Sequence, residues 1–399
     1  MNHPKRITLL ACRMSGLASR YPLLRYLLLS SGIPYGGQAA IEGVMMKGRE
    51  HAALAVRRRD GRIEVIERIA KPRWPRLSAT PLIRGVVILI DMFGLGTWAL
   101  RESARRYEID ALSAEEEKKR AKQAGNEADA VMIATTGTPV PIVDVEQKES
   151  VGQTILLVVS MLIAMLVFKV LPAAATTGVF MLAKSLGWLS PDEIAARTIG
   201  VQFLANAIEG VIKFSIFVGY VWGVGRMAEI RRVFEYHGAE HIVINAYEDD
   251  EKNQDMRFIQ SHGVAHPRCG TSFIAILILM SIFLFTLLDW ALVNAGAPVA
   301  NHLPVWWVRW PLRIVGLLPL AGLSYEIIRA AFKYYSNPIL RPLLRFGMLF
   351  QVLTVRRPAD DQVEVSLAAF NRVRFLTEGI PEPEKQAVRE AEAAGAFVA

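Results

Sequence analysis

The chain has 399 residues, of which 52% are hydrophobic and 21% charged, with a formal net charge of +8 and a mean hydropathy of +0.27. An ordinary soluble domain carries about 25% charge, so disorder, a collagen-like repeat and a disulfide-rich scaffold are excluded for the chain as a whole. Two cysteines, Cys12 and Cys269, suit a reducing compartment.

In chain order, residues 1–33 form a basic extension, with Lys5, Arg6, Arg13, Arg20 and Arg25 set among leucines. This pattern fits a membrane-surface segment or a solvated tail and does not fit a cleaved signal peptide. Residues 34–80 read as a β-rich unit, in which Ala53–Val56 and Ile63–Ile66 flank the hairpin signal Asp60-Gly61. A proline-rich linker, Lys71–Pro81, leads into residues 81–103. There the apolar run Leu82–Leu100 carries Arg84 and Asp91 on one helical face and is interrupted by three glycines, so it reads as a re-entrant or interfacial helix. Residues 104–150 are a charged helix ending near Gly125 and then a linker.

The region 151–332 holds four stretches long enough to cross a bilayer: Gly152–Leu171, Ile199–Val224, Thr271–Leu288 and Trp306–Ile327. The last opens on a tryptophan belt, Trp306, Trp307 and Trp310. Glu209 and Lys213 sit i, i+4 inside the second span, as a mutually neutralised pair or a functional one. Residues 333–399 return to a polar composition, with a helix start at Asp360 before the amphipathic run Val363–Phe375.

With four crossings, the segments sharing one side hold 39 Lys and Arg in about 244 residues, and the opposite loops hold 4 in about 54. The basic excess thus marks orientation and places both termini in the cytoplasm. Nucleic acid is an unlikely partner, since no aromatic-basic recognition motif accompanies the charge. The expected fold class is an α-helical polytopic membrane protein: about four transmembrane helices, one re-entrant or interfacial helix, and a small β-rich N-terminal cytoplasmic unit.

Chemistry concentrates between the second and third spans, in the cytoplasmic loop 226–270. Four of the seven histidines and one of the two cysteines fall within residues 237–269. On a helix, His237 and His241 face the same way with Glu240 beside them, the H-x-x-E-H pattern of inverted zinc enzymes. There the histidines bind Zn²⁺ or a similar divalent metal, and the glutamate takes a proton from the water that the ion activates. Glu248 lies on the same face but about 10 Å further along the axis. Pro267 disfavours helix at His266, so His266–Cys269 should form a loop that presents imidazole and thiolate. Two histidines and Cys269 leave a position open for catalysis; with His266 as well, the site is closed and structural. The glycine-rich run at 36–48 offers Glu42 as a further acid at the site, although turn glycines in a β-unit explain the run equally well.

The runs GGQAAIEGVMMKG (36–48), PLIRGV (81–86), YHGAEHIVINAYE (236–248), HPRCGTSF (266–273) and LTVRRPADDQVEVSLAA (353–369) together resemble the YqhQ-like bacterial membrane family. That family is a domain of unknown function whose members are labelled predicted metal-dependent enzymes. The resemblance spans about residues 34–375 and implies a polytopic inner-membrane protein with its site at His237, Glu240, His241, His266 and Cys269. Ile242 stands where the pattern has Lys, and Val355 and Arg357 where it is closer to Thr and Glu. The ligand spacing is also similar to that of S-ribosylhomocysteine lyase, which implies nothing about substrate. The expected function is a zinc-dependent, hydrolase-like enzyme at the cytoplasmic membrane face, acting on a lipid, quinone or membrane-protein segment. The alternative is a non-enzymatic assembly or transport factor with a structural metal.

Overall fold

The computed structural model describes residues 35–124, 155, 159–160, 162–163, 166–188, 199–267, 269–295, 299–300, 303–304, 306–333 and 340–379. The basic extension 1–33, the linker 126–149, part of the expected span Gly152–Leu171 and the end of the C-terminal region lie outside the described residues.

The β-rich unit is a four-stranded antiparallel meander: β1 (Gly36–Ala40), β2 (Gly43–Lys47), β3 (His51–Arg57) and β4 (Ile63–Ile69), in that order. The β3–β4 reversal falls on Asp60-Gly61, with Gly61 at φ 87. The β1–β2 turn is Ile41-Glu42, and Glu42 adopts φ 51 there, a conformation more usual for Gly or Asn. Both faces of β2 and β3 are covered. Val44, Met46, Ala53 and Ala55 meet Tyr236, Val363, Phe370 and Val373 on one side, while Met45, Leu54 and Val56 meet Leu95 and Ala99 on the other. A strand buried on both faces loses the apolar-polar alternation that would have marked it, which accounts for the unbroken Gly-Val-Met-Met run.

Helix α1 (Ile83–Ala124) joins the expected interfacial helix and the charged helix into 42 continuous residues. The reversal of the chain comes before it, at Leu82, which has φ 66. Upstream, the Arg73 amide donates to Asp91 at 3.3 Å, so residues 73–82 run back beside the first turns of α1. The helix is attached at two points. Its start abuts α7 (Trp306–Lys333), where Arg84 pairs with Glu326 and the Leu82 backbone leaves no room for a side chain at Gly322. Its middle lies on the sheet, with Gly96 against Gln38 and the Ser103 hydroxyl accepting the Ile41 amide at 3.2 Å.

Among the described residues four helices are long and apolar enough to cross a membrane: Ile83–Glu116, Phe203–Val224, Gly270–Leu292 and Pro311–Ala330. The last three coincide with expected spans. They belong to α3 (Ile199–Val224), α6 (Gly270–Asn294) and α7, with α2 (Leu171–Ser185) packed beside α3. Buried polar groups clamp them together: Arg313 donates to Asp289 at 2.5 Å and to Asn206 at 2.8 Å. Glu209 and Lys213 form the expected i, i+4 pair. At the end where α3 stops and α6 begins lie α4 (Ala228–Asp249), α5 (Met256–Gln260), α8 (Leu340–Leu349), α9 (Gln351–Thr354) and α10 (Asp360–Glu378). Helix α10 starts after Pro358, as expected, with the Gln362 side chain accepting the Ala359 amide at 2.9 Å.

Candidate metal centre

Helix α4 carries H-x-x-E-H in its middle and is enclosed there on several sides. Tyr236, Gly238, Ala239, Glu240, His241 and Ile242 are all buried. On one side the extended segment after α9 lies directly on the helix, with the Arg356 amide donating to the Phe234 carbonyl at 2.9 Å. A Cβ at Gly238 would sit 1.8 Å from the Arg356 carbonyl oxygen, so only glycine permits this approach. The same contact brings the Thr354 carbonyl to His237 Nδ1, at 2.9 Å.

On another side the return loop lies against the next turns. His241 Nδ1 is 2.6 Å from the Val264 carbonyl. Asn245, one turn on, donates to the Gly263 and Ala265 carbonyls at 2.7 and 3.2 Å and so fixes that loop. Both imidazoles therefore hold their Nδ1 proton on a backbone carbonyl, which leaves each Nε2 as the lone-pair nitrogen. The Nε2 atoms converge with Cys269 Sγ: the ligand atoms of His237, His241 and Cys269 all lie within 4.8 Å of one another, and His237 Nε2 is 3.2 Å from the sulfur. Tetrahedral zinc, with bonds of about 2.0–2.3 Å, sets ligand-to-ligand edges of roughly 3.5 Å, so the spacing fits such an ion. His241 Nε2 is buried and has no partner other than the Cys269 sulfur it faces. An orphaned lone pair at the focus of three soft ligands is what a metal would satisfy.

The electrostatics agree with that fit. Burial depresses His241 and takes His266 down to about 4, so both imidazoles are neutral at physiological pH. Burial pushes the Cys269 thiol up, but a hydrogen bond shared with His241 and those from the Thr271 hydroxyl and amide more than offset it, leaving the thiol below its usual value. Neutral imidazole and thiolate are the metal-binding forms.

Glu240 lies beside the triad, near enough for His237 and Cys269 to act on its charge. Burial raises its pKa to about 8, with the Gly37 amide acting in the opposite sense, and its Oε2 is buried without a partner. The glycine-rich motif therefore reaches this centre through Gly37, whose Cβ would fall 3.1 Å from the Glu240 side chain and 2.4 Å from the Met45 carbonyl oxygen. Glu42 is placed elsewhere. It pairs with Arg232 and accepts from the Tyr236 hydroxyl at 3.2 Å, away from the triad.

His266 is buried next to His241, with ring centroids 5.6 Å apart, but does not join the converging ligand atoms. Its Nε2 faces Glu248 at 3.9 Å. Its backbone is held from both sides by Gln351, which accepts the His266 amide at 2.9 Å and donates to its carbonyl at 2.6 Å. His262 turns to the Phe258 carbonyl and Asp249. The supporting roles of Gln351, Asn245, Thr271 and the Thr354 carbonyl were not foreseen from the sequence. Asn245 alone left a signal there, its i, i+4 spacing from His241.

The model of the family described as protein of unknown function (DUF1385) matches residues 80–375, from the start of α1 to the end of α10. The chain is also 30% identical over 366 residues to the uncharacterized protein YqhQ of Bacillus subtilis (strain 168), covering 89% of this chain and 97% of that protein. No solved structure matches. The coverage on both sides is that of a full relative, and the chain belongs to the DUF1385 family.

Proposed function

We propose that this protein is a metal-dependent membrane enzyme whose site lies at the cytoplasmic face. The observation that carries the reading is the convergence of His237 Nε2, His241 Nε2 and Cys269 Sγ, with both Nδ1 atoms already engaged by backbone carbonyls. A zinc-class ion in such a three-ligand site supplies Lewis acidity and an activated water through its open fourth position. Glu240, buried and with an orphaned oxygen, is the group on the chain that takes up and returns a proton there. Cys269 immediately precedes the span of α6, so a lipid, quinone or membrane-protein segment reaches the site by lateral movement in the bilayer.

This orientation is supported by the basic excess on the site side and by the attachment of α1. Its start is tied to α7 and its middle to the sheet, and the sheet packs on α4. We therefore read α1 as an interfacial helix entered from a re-entrant turn at Leu82, and both termini as cytoplasmic. A second reading, a structural metal that staples the loop, draws on the fact that the triad joins α4 to the start of α6.

Cobalt substitution tests the ligand set. Cobalt-loaded protein should show a thiolate-to-cobalt charge-transfer band that disappears in Cys269→Ser and is unchanged in position in Glu42→Gln. A spectrum lacking thiolate character would overturn the assignment. Glu240→Gln should retain the band yet fail to replace wild type in cells deleted for the protein; full replacement by Glu240→Gln favours the staple.

A further inference from the structure

A cavity of about 220 Å³ lies between α3, α6 and α7, walled by apolar side chains of α6 and α7 with Glu209, Lys213, Ser281 and Arg313 set among them. It exceeds the roughly 150 Å³ that admits a benzene ring. Lys213 stands 11 residues before Val224 at the end of α3, and Ser281 stands 11 residues after Gly270 at the start of α6. Both therefore lie about 16 Å from the metal-centre end of their helices, near the middle of a bilayer core of about 30 Å. That is too deep for a lysine stem to carry its charge to headgroup water.

The charges at the wall pair off, Lys213 with Glu209 and Arg313 with Asp289, so the cavity offers no net charge. An ionic ligand would lose its hydration there without return. Hydrogen-bond donors are left over all the same. The Lys213 ammonium has three N–H groups, and Glu209 takes one of them. The Lys213 side chain is 32% exposed, and the bilayer core has no water to accept the others.

We propose that this cavity binds the ring of a lipid-soluble quinone, whose uncharged carbonyl accepts from Lys213 while its tail stays in lipid beside Ile314, a wall residue 62% exposed among the described residues. The volume suits a single ring and not the paired chains of a phospholipid. The balanced charges favour a neutral acceptor over a fatty acid or another anion. The site is separate from the triad, since Ser281 lies 12 residues beyond Cys269, about 18 Å along α6, and the proposal does not rest on a bound metal.

Equilibrium binding of a radiolabelled benzoquinone with a decyl tail, measured on the full chain in phosphatidylcholine nanodiscs against empty nanodiscs, tests the proposal. One saturable site per chain is expected, competed by the unlabelled quinone and not by decanol or decanoate at the same concentration. Ser281→Phe, which fills the cavity with an uncharged side chain, should abolish saturable binding. The double variant Glu209→Gln, Lys213→Met keeps the wall neutral but removes the ammonium, and should weaken binding about tenfold. Lys213→Arg, which keeps the charge and the donors, should stay within a few-fold of wild type, so that loss in the double variant reports the donor and not damage to the bundle. Binding should be the same before and after chelator treatment, which keeps failure of the metal reading distinguishable from failure of this one. No saturable excess over empty nanodiscs, competition by decanol or decanoate equal to that by the quinone, wild-type affinity in Ser281→Phe or the double variant, or loss on removing metal would each overturn it.

Discussion

Glu240 combines two features that a purely structural carboxyl has no need of: burial to 5% exposure and an oxygen without a partner. Its folded pKa of about 8 stands above its ordinary 4.5, so in metal-free protein the ionised form is disfavoured by folding. The sign follows. Stability from this group is fully present below pH 4.5 and falls as pH rises towards 8. In chelator, Glu240→Gln should therefore match wild type near pH 5 and exceed it near pH 8, as read by denaturant titration. A wild-type advantage at pH 8 would contradict the buried assignment. Gly238 makes the second residue-scale test. Gly238→Ala drives a methyl into the Arg356 carbonyl and should cost about 3 kcal/mol, measured by the same titration.

Among the elements, the return loop between α5 and α6 has little internal structure and relies on side chains of its neighbours. Asn245 holds it at residues 263 and 265, and Gln351 at residue 266. Groups that orient metal ligands typically change affinity 10–100-fold when removed. Asn245→Ala, which frees the Gly263 and Ala265 carbonyls on either side of the Val264 carbonyl that orients His241, should thus lower metal affinity by roughly tenfold in a chelator competition, with the helices intact by circular dichroism. An unchanged affinity would show that the loop is held without it. Helix α1 gives a topological test. Cysteines placed at Lys71 and Lys119, on either side of the apolar stretch of α1, should react with an impermeant thiol reagent from the same side of a sealed vesicle; reaction from opposite sides would show that α1 crosses.

At the scale of the whole molecule, what could be read in the sequence was what depends on local spacing. His237, Glu240 and His241 share a helix face because of i, i+4 geometry, and Cys269 was reachable because Pro267 breaks the helix ahead of α6. The β3–β4 hairpin was legible from Asp60-Gly61. The β1–β2 hairpin was hidden, because its turn uses Glu42 and β2 is covered on both faces. The continuity of α1 was missed because its composition changes near residue 100, from apolar to charged, while its backbone does not. Glu42 looked like a site acid through proximity in a motif, and only the tertiary pairing with Arg232 shows where it goes. His266 was expected among the ligands, but it lies outside the converging group, its ring facing Glu248 and its backbone held by Gln351, 85 residues downstream.

The central claim is that His237, His241 and Cys269 hold one metal ion. Elemental mass spectrometry on freshly purified protein measures this directly, with wild type compared against His237→Ala, His241→Ala and Cys269→Ser. The account predicts close to one equivalent of a zinc-class metal in wild type, its loss in each of the three ligand variants, and its retention in Glu240→Gln and Glu42→Gln. Wild-type protein without stoichiometric metal, or ligand variants that keep it, would contradict the account.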